Sequence, residues 1–125
     1  MSDYQEWLKY AKSNYHYSIT PVNDNVLFHD LCNQAQQAIE KSLKALLIYY
    51  GVTPEHTHNI SKLLKEIKKY TDIDEDIYDA EYLTTFAMES RYPGCFDEVS
   101  EREYSVAVEI AKKCIDWVES KIYNN

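Results

Sequence analysis

A few side chains in this sequence have the type and spacing to do chemistry. Arg91 stands two residues before Pro93-Gly94, so it is expected at a helix end, in a turn fixed by the proline. A guanidinium presented there offers a fork of donors suited to a phosphate. The same cation would also be favourable at a helix C-terminus, paired with Glu89 or an acid of the following loop. Gln37 lies four residues before Lys41, and Lys44 three after it. That spacing gathers the three on one side of a helix. On a cleft they would meet a phosphate or a partner's carboxylate. Away from one they form an exposed stripe with a Gln37–Lys41 contact. The stripe is the expectation for Lys44, while Lys41 stays open between the two readings. His56-x-His58 places two imidazoles close together without a nearby Cys or third His. No metal site is expected, and His58 is read as capping the next helix or packing at its start. Among the tyrosines, Tyr10, Tyr15, Tyr17, Tyr49, Tyr50 and Tyr70 could stack on bases. The expectation is that they edge the core or line a protein interface, where an apolar ring and a wet hydroxyl both fit.

Other chemistries are excluded by what is missing. With two Gly in the chain, a backbone cradle for phosphates cannot be built. No P-loop, nucleophile elbow or zinc spacing is present, and no cofactor is expected. Any nucleotide site must use side chains and helix N-termini. The formal charge of −8 argues against non-specific binding to nucleic acid, and no DNA partner is expected. The charge is uneven. Residues 40–70 carry six Lys against three acids, whereas residues 71–125 carry fourteen acids against five bases. Solvated helix faces are the expected meaning, with a basic patch meeting phosphates as the sharper alternative.

These residues must be positioned by helices. A chain of 125 residues fits one domain, residues 1–125, and buries roughly two-thirds of its unfolded surface. Turn residues are scarce and no segment alternates with period two, so the expectation is an all-α, up-and-down bundle of about five helices. Ser2 with Gln5 reads as a capping box opening a first helix that runs to about Ile19, with Trp7, Leu8, Ala11, Tyr15 and Ile19 as its stripe. Asn23 or Asp24 is expected to cap a long second helix. That helix carries Leu27, Leu31, Ala35, Ala38, Ile39, Leu43, Leu46, Leu47 and Tyr50, and stops at Gly51. A third starts near His58 or Asn59 and carries Ile60, Leu63, Leu64 and Ile67. A fourth, after the acidic linker 72–76, carries Ile77, Ala80, Leu83, Phe86 and Ala87. Ser100 with Glu103 forms a second capping box before a fifth with Tyr104, Ala107, Val108, Ala111, Cys114, Ile115, Val118 and Ile122. No run of about 18 apolar residues could span a membrane. The N-terminus lacks a signal-peptide pattern, and Cys32, Cys95 and Cys114 are scattered. A reduced, cytoplasmic setting follows as the expectation.

Residues 34–47 resemble the QQAxEKxLKALL signature of prokaryotic HEPN domains. Thr57-His58-Asn59-Ile60-Ser61-Lys62-Leu63-Leu64 is similar to that family's T-H-D-L-x-x-L-L, and Arg91-Tyr92-Pro93 to its R-Y-P turn. The resemblance spans nearly the whole chain. It implies a helical bundle that pairs as a homodimer. It also implies a partner of the nucleotidyltransferase type, encoded beside it as part of a toxin–antitoxin-like system. Some members of the family cleave RNA, whereas others bind nucleotides or serve as scaffolds. The RNA-cleaving members carry Arg, then four to six residues, then His. Here the positions after Arg91 that would hold the His are Phe96, Asp97 and Glu98, and every His precedes Arg91. The ribonuclease motif is incomplete, so the expectation leans away from an enzyme. The expected function is that of a dimeric subunit binding a nucleotide or a partner protein through Arg91, Tyr92, Lys41, Gln37, Lys44 and His58. The alternative is an RNA-cleaving member with an atypical site, in which Arg91 holds the phosphate and Asp97 or His58 moves the proton.

Overall fold

The computed structural model describes residues 3–21, 25–82 and 99–124. Five helical elements are described: α1 (Tyr4–Ser18), α2 (Phe28–Tyr49), α3 (Ile60–Ile67), a 3-10 helix (Glu75–Asp79) and α4 (Glu101–Tyr123). The class is all-α, as composition and periodicity require. α2 is the central element and packs against α1, α3 and α4.

Each helix begins where a local group can take its free N–H donors. For α1 that group is Asp3 rather than Ser2. Its Oδ1 accepts from the Glu6 N–H at 2.8 Å, which places the cap one residue later than the Ser2–Gln5 pattern suggests. A carboxylate is the stronger acceptor at the positive end of a helix. For α2 the expected caps Asn23 and Asp24 lie outside the described residues. Asn25 and Val26 are in a turn, and the cap is Leu27, extended and without a side-chain cap bond. Stacking of Phe28 on Tyr104 of α4, with centroids 5.1 Å apart, anchors the start. Leu27 is consequently exposed, as is Ile19, the C-cap of α1, so both leave their expected apolar stripes. α3 is capped by Asn59, whose Oδ1 accepts from the Lys62 N–H at 3.2 Å. α4 carries the expected capping box, Ser100 and Glu103 exchanging bonds of 3.0 and 3.1 Å.

The end of α2 is fixed by Gly51 at φ +84°. Its N–H donates to Ile48 O at 2.9 Å, and Val52 N–H donates to Leu47 O at 2.9 Å. This pair of bonds is the Schellman arrangement, which a left-handed residue makes possible. It turns the chain so that α3 can fold back onto α2.

The core lies around α2. Ile39, Leu43, Leu46 and Leu47 meet Leu8 of α1, Ile60, Leu64 and Ile67 of α3, and Ala111, Cys114 and Val118 of α4 in one buried cluster. Each large aliphatic side chain fully buried there contributes about 1.5–3 kcal/mol relative to exposure. Ile110 and Trp117 of α4 belong to this core as well, beyond the stripe read from the sequence. The expected fourth helix opens as the 3-10 turn, with Ile77 and Ala80 buried, and stays helical through Tyr82. Its expected continuation through Leu83, Phe86 and Ala87 lies outside the described residues.

Candidate functional site

α2 carries polar side chains into the bundle on two of its faces. Toward α1 it presents Lys41 and Lys44. Lys41 Nζ donates to Asn14 Oδ1 at 2.8 Å and lies 5.9 Å from the centroid of the Tyr10 ring. Asn14 is itself oriented, its Nδ2 donating to Gln34 Oε1 at 2.7 Å. Lys44 is buried, with 8% of its surface exposed, and its Nζ stands 5.7 Å from the Trp7 ring. The exposed stripe expected for Lys44 is therefore corrected. Its alkyl stem is covered by the α1–α2 contact, and the indole face replaces part of the ammonium's hydration. The expected Gln37–Lys41 contact does not form either, because Asn14 takes the Lys41 ammonium and Gln37 is exposed to solvent. Among the described residues no carboxylate pairs with Lys41 or Lys44.

The second polar set joins α2 to the segment before α3. Gln36 is completely buried and Glu40 nearly so. Gln36 Nε2 donates to Glu40 Oε1 at 3.3 Å, across one helical turn. The other carboxylate oxygen, Oε2, lies 3.0 Å from His58 Nδ1. The His58 side chain is 78% exposed and that of Glu40 5%. Where the carboxylate is ionised it can only accept, and the hydrogen of this bond then comes from His58 Nδ1. The cap role considered for His58 falls to Asn59, because the short asparagine amide reaches the Lys62 N–H while the imidazole is drawn to Glu40. Gln36 Oε1 has no hydrogen-bond partner and is buried.

Sequence reasoning singled out Gln37, Lys41, Lys44 and His58, and passed over Gln36 and Glu40. The missed signal lies in the register. Cys32, Gln36, Glu40 and Leu47 fall on the buried side of α2, so two polar residues interrupt an otherwise apolar phase. The structure brings His58 to Glu40, and Lys41 with Lys44 to α1. Arg91 and Tyr92 lie outside the described residues. Among the described residues no group of three or more His, Cys, Asp or Glu could hold a metal.

Of the tyrosines singled out, Tyr15, Tyr49 and Tyr50 edge the core, whereas Tyr10, Tyr17 and Tyr70 are exposed. Tyr4 meets Tyr49 edge-on at 5.4 Å, Tyr49 meets Tyr50, and Tyr50 stacks on Tyr70 at 5.7 Å. A cleft of about 350 Å³ opens between the end of α2 and α3, lined by Leu47, Val52, Pro54, Leu63, Lys62 and Lys65 among others. It contains none of the sequence-predicted site residues, and two acids, Glu55 and Glu66, share its wall with the lysines.

Comparison with known proteins identifies the family. The HEPN domain family matches residues 4–121 of the chain. The chain belongs to the HEPN domain family. Two solved structures share the fold. ST0689, described as an archaeal HEPN homologue, is 26% identical, with a TM-score of 0.75 over 98% of this chain and 99% of its own. TT1696 from Thermus thermophilus is 26% identical, with a TM-score of 0.81 over 97% of this chain and 99% of its own. No curated protein matches the sequence. This HEPN protein thus spans essentially the full length of both structural relatives. No helix among its described residues is long and apolar enough to cross a membrane.

Proposed function

We propose that this HEPN protein is a non-catalytic binding subunit. It pairs with a second copy of itself and presents the α1–α2 face to an anionic group. That group is a carboxylate of a nucleotidyltransferase-type partner or the phosphate of a nucleotide, within a toxin–antitoxin-like system. The observation that supports this reading is the treatment of Lys41 and Lys44. Both ammonium groups are held by neutral neighbours, Asn14 and Tyr10 for one and Trp7 for the other. A cation ordered this way keeps its charge for an incoming anion and has little side-chain freedom left to lose on binding. Gln37 is exposed on the same helix, Arg91 and Tyr92 are candidates from the sequence motif alone, and the incomplete ribonuclease motif is the reason to favour binding over cutting.

Two measurements on the purified chain test this. Sedimentation should give a dimer at micromolar concentration. Calorimetry against the nucleotidyltransferase encoded beside it, and against ATP, should register binding of at least one of them. The Lys41→Ala/Lys44→Met double variant should weaken that binding at least about tenfold, as loss of charge-assisted contacts predicts. A monomer that captures neither ligand overturns the reading.

A second reading, RNA cleavage at an atypical site, is favoured by one contact: the solvent-facing His58 rests on the buried Glu40 carboxylate. RNA incubated with wild type and with Arg91→Ala separates the two readings. Under the first, neither protein cuts. Cutting by wild type alone makes the chain an enzyme.

A further inference from the structure

α3 leaves two of its lysines uncommitted beside an apolar cleft. Just past its end, Lys68 donates to Asp72 at 2.9 Å and Lys69 to Glu66 at 3.0 Å. Lys12, Lys112 and Lys113 also pair with acids. Lys62 and Lys65 are exposed, and among the described residues no acid pairs with either, in a chain where 21 acids outnumber 13 bases. We propose that the cleft between the end of α2 and α3 docks an extended acidic peptide of a partner protein. The peptide seats an aliphatic side chain in the cleft and lays its carboxylates on Lys62 and Lys65. No residue of α1 lines this cleft, so the site is separate from the Lys41 and Lys44 face.

Three observations carry the proposal. The first is the cleft itself. Its volume of about 350 Å³ is that of a ligand pocket. Leu47, Val52, Pro54 and Leu63 give it an apolar lining that an aliphatic side chain would remove from water. The lining is set in advance, because the bond from Val52 N–H to Leu47 O holds two of these residues together. Binding therefore costs little ordering on this side.

The second is the placement of charge. Lys62 and Lys65 line both this cleft and a neighbouring hollow formed with Ser61, Lys68, Tyr78 and Glu81. They stand between the two depressions. A peptide segment long enough to reach both must cross two unpaired ammonium groups. The third is the opposite wall, the loop after α2. Thr57 Oγ1 accepts from the Asn59 N–H at 3.0 Å, which leaves its hydroxyl hydrogen for a peptide carbonyl. Glu55 in that wall repels an acid, so the carboxylates take the α3 side.

The same features disfavour RNA as the occupant. Glu55 and Glu66 would face its phosphates, and no aromatic ring lines the cleft to stack on a base.

The test measures binding of short fluorescein-labelled peptides to the full chain by fluorescence anisotropy. Each probe carries one leucine flanked by glutamates at varied spacing. Companion peptides replace the leucine by alanine or the glutamates by lysine. At least one leucine–glutamate peptide should bind, its companions should bind at least about tenfold more weakly, and affinity should fall as salt rises. Lys62→Glu/Lys65→Glu should weaken binding about tenfold or more. Both residues are exposed, so the variant should keep the wild-type melting temperature. Lys9→Glu/Lys12→Glu makes the same change of net charge on α1 and should bind as wild type does, as should Lys41→Ala/Lys44→Met. Absence of binding by every peptide overturns the proposal, as does equal binding by the Lys62→Glu/Lys65→Glu variant or an equal loss in both charge-reversed variants. Displacement of the peptide by single-stranded RNA or inorganic phosphate at matched ionic strength also overturns it, by making the site a general anion site.

Discussion

His58 Nδ1 lies 3.0 Å from Glu40 Oε2, joining the segment before α3 to the middle of α2 across eighteen positions of sequence. The contact couples an exposed ring to an enclosed acid, and it closes the polar chain that begins at Gln36. Without such partners a carboxylate at this depth would be costly, because burial strips its hydration. The arrangement also explains why the interior of α2 tolerates Gln36 and Glu40 at positions where its neighbours are leucine, isoleucine and alanine.

Removing one member of this chain should hurt more than removing two. Glu40→Ala strands the Gln36 amide in the interior and is expected to cost about 1–3 kcal/mol, the usual penalty for an orphaned buried donor. The double variant Gln36→Leu/Glu40→Leu removes both polar groups, including the Gln36 Oε1 that has no partner. It should lie within about 1 kcal/mol of wild type. Urea midpoints of the three proteins measure both values. A double variant much weaker than Glu40→Ala would contradict this account of the pair.

Gly51→Ala isolates a backbone effect. A methyl group at this position meets nothing within 4 Å, so sterics with neighbours play no part. The cost comes from holding an L-residue at φ +84°, which is about 1–2 kcal/mol. Thermal or urea unfolding should show a loss of that size. An unchanged midpoint would mean that the Schellman turn after α2 relaxes without consequence.

Cys114 should be inert toward alkylation in the folded protein. An ordinary thiol ionises near 9, and burial, with smaller contributions from Asp76 and Asp79, pushes Cys114 up to about 12. At pH 8 its thiolate is scarce and its sulfur enclosed, so iodoacetamide should label it only after denaturation, as peptide mass spectrometry can show. The same shift has a stability consequence. Above pH 9 the unfolded chain sheds this proton while the folded chain retains it. Its contribution is complete below pH 9 and is lost as the pH climbs toward 12. Tyr104, raised mainly by burial, acts in the same direction. Urea midpoints should therefore fall steadily through that window, and Cys114→Ala should flatten the slope.

What the sequence determined by itself is whatever local chemistry decides. The three- and four-residue steps from Leu31 to Leu47 require a helix with a buried face, Gly51 after Tyr50 requires its end, and Ser100 with Glu103 requires the start of α4. These are contacts within one turn of chain, so the pattern is enough. The motifs at 34–47 and 57–64 were sufficient to indicate the family that the whole-chain match then established. Where two local acceptors competed, the sequence was less decisive: Ser2 and Asp3 are both able caps, and only the backbone path selects Asp3. The burial of Lys44 depends on Trp7, thirty-seven positions away, and the partner of His58 depends on how the turn after Gly51 lays α3 back along α2. Sequence spacing on a single helix cannot report on such contacts, because they are set by which faces of different helices meet. That is why Lys41 and Lys44 were legible as a pair while their neutral partners were not, and why Glu40 became visible as the anchor of His58 only in the packed bundle.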